Sequence, residues 1–112
     1  MKFLGIYRPG VPEGTPPSQE VMENMNKLID EMTKSGVLLA TEGCLPTSFG
    51  ARVRYTKGKF TVTDGPFSEA KEIIGGFALF KADSKEDAIE WTKKFLTVAG
   101  GGESEVRQIA EF

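Results

Sequence analysis

Two segments of this sequence carry helical periodicity, and the strand-like segments around them hold large apolar residues on both faces. Two helices cover one face of a four-stranded sheet and no more. The other apolar face therefore needs a cover from outside the fold, and a second copy of the same sheet is the simplest one. That requirement limits the architectures open to this chain more than any other feature.

The elements read as follows. In residues 2–8, Phe3 and Tyr7 alternate against Leu4 and Ile6, the signature of a strand. Residues 9–17 hold four prolines and two glycines and read as a loop. Ser18 is placed to cap a helix, with Glu20 in its first turn. Val21, Met22, Met25, Leu28, Ile29 and Met32 then recur at three- and four-residue spacing, an apolar stripe read as core. Gly36 is suited to the left-handed position that ends a helix. Residues 37–41 form a short apolar run, read as a buried strand, and residues 42–48 leave it as a loop.

Residues 51–56 and 59–63 alternate on either side of Lys57-Gly58, which predicts an antiparallel hairpin. Val53 and Tyr55 share one face of it, Arg52 and Arg54 the other. Asp64-Gly65-Pro66-Phe67 is a turn signal, and residues 68–72 are a charged stretch. Residues 73–82 read as a long strand in which Gly75-Gly76 marks a bulge, a bend or the close approach of another backbone. Ser84 and Asp87 open a second helix in the manner of a capping box, with Ala88, Trp91, Thr92, Phe95 and Leu96 as its core face. Gly100-Gly101-Gly102 ends it, and residues 105–112 read as a last strand. The order β-α-β, hairpin, β-α-β predicts an α+β, ferredoxin-like subunit in one domain over residues 1–112.

Composition removes several chemistries. The sequence contains no histidine and one cysteine, Cys44. Serine or cysteine catalysis through histidine is thereby excluded, as is an intrachain disulfide. Without an activating histidine, Cys44 is expected to be a buried, inert thiol. No metal or cofactor is expected. A net charge of −2 argues against general nucleic-acid binding. No apolar run approaches the length of a membrane span, and residues 1–8 are too short an apolar stretch for a signal peptide, so a cytoplasmic setting is expected.

The run Asp64-Gly65-Pro66-Phe67-Ser68-Glu69-Ala70-Lys71-Glu72, followed by Gly75-Gly76-Phe77, resembles the DGPF motif of YCII-related proteins. Tyr7, Glu42-Gly43 with Leu45-Pro46, and Glu105-Val106-Arg107 fit the same pattern, so the resemblance spans nearly the whole chain. It implies a dimeric α+β barrel in which two ferredoxin-like sheets pack face to face. Related branches of that fold include dehalogenating enzymes, isomerases and cofactor-free monooxygenases. Some YCII-like proteins carry a His–Asp pair with the histidine in the first helix. Here the matching position is assigned to Met25, so that mechanism is impossible for this chain.

The residues that remain for a site have ordinary alternatives. Asp64 is a general base or ligand acceptor at the mouth of a pocket, or a turn former that accepts backbone N–H groups. Tyr7 directs its hydroxyl into a pocket between sheet and helix, or is a core tyrosine with one hydrogen bond. Arg54 and Arg107 are candidate anion contacts, or exposed strand residues. Glu42 lies just past a strand end, and Gly76 leaves backbone open to a bulky group. The expected ligand is small, anionic or carbonyl-bearing, and close to Tyr7 and the Asp64 turn. Three functional readings follow: a metal-free enzyme using acid–base chemistry, a non-catalytic ligand-binding or regulatory module, and a dimeric structural domain without a small-molecule site.

Overall fold

A computed structural model describes residues 1–69 and 73–111. The elements are β1 (Lys2–Arg8), α1 (Gln19–Lys34), β2 (Leu38–Gly43), a 3-10 turn (Thr47–Phe49), β3 (Ala51–Thr56), β4 (Lys59–Asp64), β5 (Gly76–Lys81), α2 (Lys85–Ala99) and β6 (Glu103–Gln108). The main sheet has the order β2-β5-β1-β6, and β3-β4 stands as a separate two-stranded ribbon. All three neighbouring pairs of the main sheet are antiparallel. This is the ferredoxin-like arrangement, with β1 and β5 central and adjacent.

The helix boundaries follow from local chemistry. The Ser18 hydroxyl accepts the Val21 N–H at 3.2 Å, and the Ser84 hydroxyl accepts the Asp87 N–H at 3.0 Å. The Asp87 carboxylate reaches one residue further back than a capping box does, accepting the Asp83 N–H at 3.1 Å. Past the end of α1, Gly36 has φ 80°, and Gly100 closes α2 at φ 85°. Both are left-handed positions where a side chain would be strained.

Phe3 faces Phe80 across β1-β5, their rings stacked at 6.1 Å between centroids. Leu28 and Met32 of α1 and Ala88 of α2 close over that pair. Period-two alternation puts Gly5 and Tyr7 on the same face as Phe3. Leu4 and Ile6 fall on the opposite face, beside Leu79 and Phe77 of β5. Among the described residues no helix covers that face, since α1 and α2 pack with Phe3 and Phe80 on the other. Met22 departs from the core reading of its helix stripe: near the N-terminal end of α1, it is half exposed.

The strand expected over residues 73–82 begins at Gly76. Gly75 still pairs with both neighbours, donating to the Tyr7 carbonyl at 2.7 Å and accepting from the Cys44 N–H at 2.9 Å. Ile73 and Ile74 precede it outside the ladder. Of the readings open for the glycine pair, close approach is the one observed. A Cβ on Gly76 would lie 2.6 Å from the Glu42 carbonyl oxygen, and one on Gly75 2.7 Å from the Pro9 ring. The irregularity of the sheet lies instead in β2, where the register shifts between Leu38 and Ala40. The last strand runs over Glu103–Gln108, earlier than expected, and Phe112 lies outside the described residues. So do Ala70, Lys71 and Glu72 of the charged stretch. Among the described residues no helix is long and apolar enough to cross a membrane.

Candidate functional site

A chamber of about 230 Å³ lies between the helix-covered face of the sheet and the two helices. Its space comes from small residues in the centre of the floor. Gly5 of β1 is the register partner of Ala78 of β5, with the bulky Phe3–Phe80 pair on one side of them and Tyr7 on the other. Met25, Ile29, Trp91 and Phe95 form the helical walls. The lining is overwhelmingly apolar. Two of its hydroxyls are already engaged: Thr41 Oγ1 donates to the Phe77 carbonyl at 2.9 Å, and Thr92 Oγ1 to the Ala88 carbonyl at 2.8 Å.

A larger outer groove of about 840 Å³ adjoins the chamber and shares Tyr7, Met25 and Phe95 with it. The proline-rich loop, the start of α1, residues 43–46 and Ile73-Ile74 form its walls. Tyr7 thus stands at the boundary of the two spaces. Its ring meets Phe95 edge-on at 5.0 Å, and its hydroxyl donates to the Gly101 carbonyl at 3.0 Å. Gly102 has no side chain at the point where a Cβ would lie 3.0 Å from the Tyr7 oxygen. Partial burial pushes the Tyr7 phenol above its ordinary pKa, so the group is neutral at physiological pH. With its proton committed to Gly101, the oxygen presents lone pairs to a ligand donor.

The structure brings only some of the sequence-derived site residues together. Tyr7 and Gly76 are register partners, and both line the chamber. Glu42 reaches the chamber's edge and contributes the backbone that packs on Gly76; its residue is exposed, in the cross-strand row of Phe77, Ile6 and Glu105 on the open face. Asp64, Arg54 and Arg107 line neither space. Asp64 ends β4, exposed, and its carboxylate takes none of the turn bonds formed by the described residues. Arg54 is exposed on the ribbon opposite Thr61. Its neighbour Arg52, on the same face of the ribbon, places its guanidinium 4.4 Å from the centre of the Phe67 ring. Cys44 also departs from expectation, being exposed on the wall of the outer groove.

Arg107 belongs to a surface network instead. It donates to Glu105 at 3.0 Å, and Arg8 lies 3.5 Å from the other oxygen of the same carboxylate. The hydrogen bond from Arg107, reinforced by the charge of Arg8 and opposed by some desolvation, holds the Glu105 carboxyl below its usual range. A group lowered in the folded state contributes stability above its unfolded pKa, and that contribution is lost as pH falls through the folded value. Arg107→Ala is expected to move the Glu105 titration back up toward an ordinary carboxylate. A carbon-detected NMR titration of the Glu105 side chain checks it, and an unchanged midpoint refutes the assignment.

Gly5, Ala78, Trp91 and Phe95 complete the site, and no local sequence pattern joins them. The helical pair was legible as a core face. The signal for the chamber was a glycine inside β1 and an alanine inside β5 among bulky residues, which acquires meaning only once the register is known.

An apolar chamber roofed by two helices on a ferredoxin-like sheet defines a class of small α+β proteins with room for a compact ligand. The model of the YCII-related domain matches residues 1–112, and the chain belongs to that family. An uncharacterised protein of Rhizobium meliloti (strain 1021) is 29% identical over 93 residues, covering 82% of this chain and 75% of its own length. Among solved structures, 5-chloro-2-hydroxyhydroquinone dehydrochlorinase of Burkholderia phenoliruptrix AC1100, in complex with 2,5-dihydroxybenzoquinone, has the same fold. It superposes with a TM-score of 0.53 at 16% identity, over 100% of this chain and 96% of the other.

Proposed function

We propose that this protein binds a small ring compound in the chamber, with an apolar body against Met25, Trp91 and Phe95 and a polar edge at Tyr7. The single observation that carries this reading is an apolar space whose one titratable hydroxyl among the described residues stands at its boundary. The Tyr7 oxygen accepts from a ligand hydroxyl while donating to Gly101; rotation of its O–H serves a ligand carbonyl. A hydroxylated or carbonyl-bearing ring satisfies both ends of such a site. The dehydrochlorinase that shares the fold was crystallised with a ligand of that kind. The distribution of charge supports a binding module first, because Asp64, Arg54 and Arg107 lie away from the chamber.

A second reading, a metal-free enzyme working by acid–base chemistry, is favoured by the activity of that same structural neighbour. In it Tyr7 is the proton donor, since burial keeps its phenol protonated. In both readings the working unit is a homodimer, because the open face of the sheet and the ribbon leave large apolar residues exposed in one chain.

Trp91 is the sole tryptophan and lines the chamber, so its emission reports occupancy directly. With 2-naphthol as the probe, energy transfer from Trp91 is expected on titration of the native protein. Ala78→Phe fills the floor and is expected to remove burial of about 2 kcal/mol, a loss of roughly 30-fold in affinity. Its melting temperature is expected to hold or rise, because the ring enters existing space. Equal binding by both proteins would sink the chamber as the site.

A further inference from the structure

The Gly65–Phe67 turn lies outside the chamber, yet it is tied to the outer groove through Thr47. The Phe67 N–H donates to Thr47 Oγ1 at 2.9 Å. Thr47 in turn gives both of its donors to one carboxylate: its N–H reaches Glu13 Oε1 at 2.7 Å and its hydroxyl reaches Glu13 Oε2 at 2.8 Å. Glu13 sits in the middle of the proline-rich loop, and that loop is a wall of the groove leading to Tyr7. The fork is short and bidentate, and its acceptor is charged, the strong class of hydrogen bond. Both residues are half-buried, which limits competition from water. The rest of the loop has little else to hold it. Four of its nine residues are prolines without an N–H, and the loop's own described bonds are the two from Thr15, backbone and hydroxyl, to the Pro12 carbonyl.

We propose that Glu13 is a positioning residue: clasped by Thr47, it holds the proline-rich loop as the outer wall of the ligand path, and the Gly65–Phe67 turn keeps Thr47 in place to do so. The second part gives the turn motif a role that its aspartate does not explain. The Thr47 hydroxyl has one proton, spent on Glu13, and lone pairs, one of which takes the Phe67 N–H. The turn, the 3-10 segment and the loop are therefore joined through a single side chain. Loss of the Glu13 end frees the wall without touching any residue of the chamber. The effect on ligand exchange rests on the chamber reading above; the clasp itself does not.

Two measurements on the full chain separate them. Amide exchange of Thr47 reads the clasp, since its N–H is one of the two bonds to Glu13. Glu13→Ala is expected to accelerate it by roughly tenfold or more, the scale of a lost hydrogen bond to a charged acceptor, while amides of β1 and β5 stay unchanged. Thr47→Ser keeps the hydroxyl and is expected to retain native exchange at Ser-substituted position 47 and at Phe67; Thr47→Val removes it and is expected to deprotect Phe67. The dissociation rate of 2-naphthol, followed by stopped-flow Trp91 emission, reads the wall. It is expected to rise several-fold in Glu13→Ala and to remain native in Thr47→Ser. Native exchange at Thr47 in Glu13→Ala overturns the clasp, whether or not 2-naphthol binds. Fast exchange at Thr47 with an unchanged dissociation rate overturns the loop's role in the ligand path. Failure of 2-naphthol to bind the native protein overturns the chamber reading and, with it, the effect on ligand exchange.

Discussion

Light scattering at micromolar concentration is expected to give about twice the 12.2 kDa chain mass, and a Val53→Lys, Phe60→Lys double variant is expected to return it to a monomer. Both residues belong to the apolar face of the β3-β4 ribbon. Val53 faces Val62 and Tyr55 faces Phe60 across it, and the four are between 64% and 73% exposed. A lone two-stranded ribbon is marginal in water. This one is separate from the main sheet, and the radius of gyration is 15.7 Å where roughly 13 Å is usual for this length. Covering the four side chains on each of two chains, each about two-thirds exposed beforehand, is worth roughly 8–16 kcal/mol, against an association cost of about 4–15 kcal/mol. The ribbon alone therefore falls near balance, and the open sheet face, with Leu39 and Phe77 exposed on the chain, supplies the remainder. Two lysines placed in such an interface would be buried without partners, at a cost of several kcal/mol. A native protein that scatters as a clean monomer at micromolar concentration would end the dimer proposal.

The parts of this fold that could be read from the sequence are those encoded within a few residues. A serine three residues before an N–H it can cap, as at Ser18 and Ser84, specifies a helix start with no knowledge of the rest of the chain. Lys57-Gly58, with φ 52° and 78°, does the same for the ribbon. The ferredoxin-like layout that the element order predicts makes β1 and β5 central neighbours, as they are. The site was less legible because its parts meet only through register. Tyr7 and Gly76 could be placed near each other, since β1 and β5 had to be neighbours. The empty floor required knowing that Gly5 falls opposite Ala78, which no local pattern states. Charged residues are poor guides to the site here: Arg107 is occupied by Glu105 and Arg54 lies on the ribbon. With no histidine to activate it, Cys44 reads from the sequence as a buried, inert thiol. It follows β2 directly and spends its N–H on Gly75, which leaves the residue at the groove surface.

Within the turn motif, Gly65→Val is expected to be among the most damaging single substitutions outside the core, and Asp64→Ala nearly silent. The glycine is needed for space rather than for conformation, since its φ is not among the left-handed ones. A Cβ there would run into the Thr47 carbonyl. Backbone cannot step aside as a flexible side chain does, so the turn must move away from the 3-10 segment. That movement breaks the Gly65 N–H bond to the Gly50 carbonyl, 3.0 Å, and the Phe67 N–H bond to Thr47, 2.9 Å. Steric strain of about 1–3 kcal/mol and roughly 1 kcal/mol for each lost bond put the total near 3–5 kcal/mol. Asp64 is exposed and its carboxylate holds no bond among the described residues, so its removal is expected to stay within about 0.5 kcal/mol. Urea unfolding of the two variants beside the native protein measures both. A Gly65→Val protein as stable as the native one would show that the turn does not anchor the ribbon to Thr47. A large loss in Asp64→Ala would move the structural role of the motif from its glycine to its aspartate.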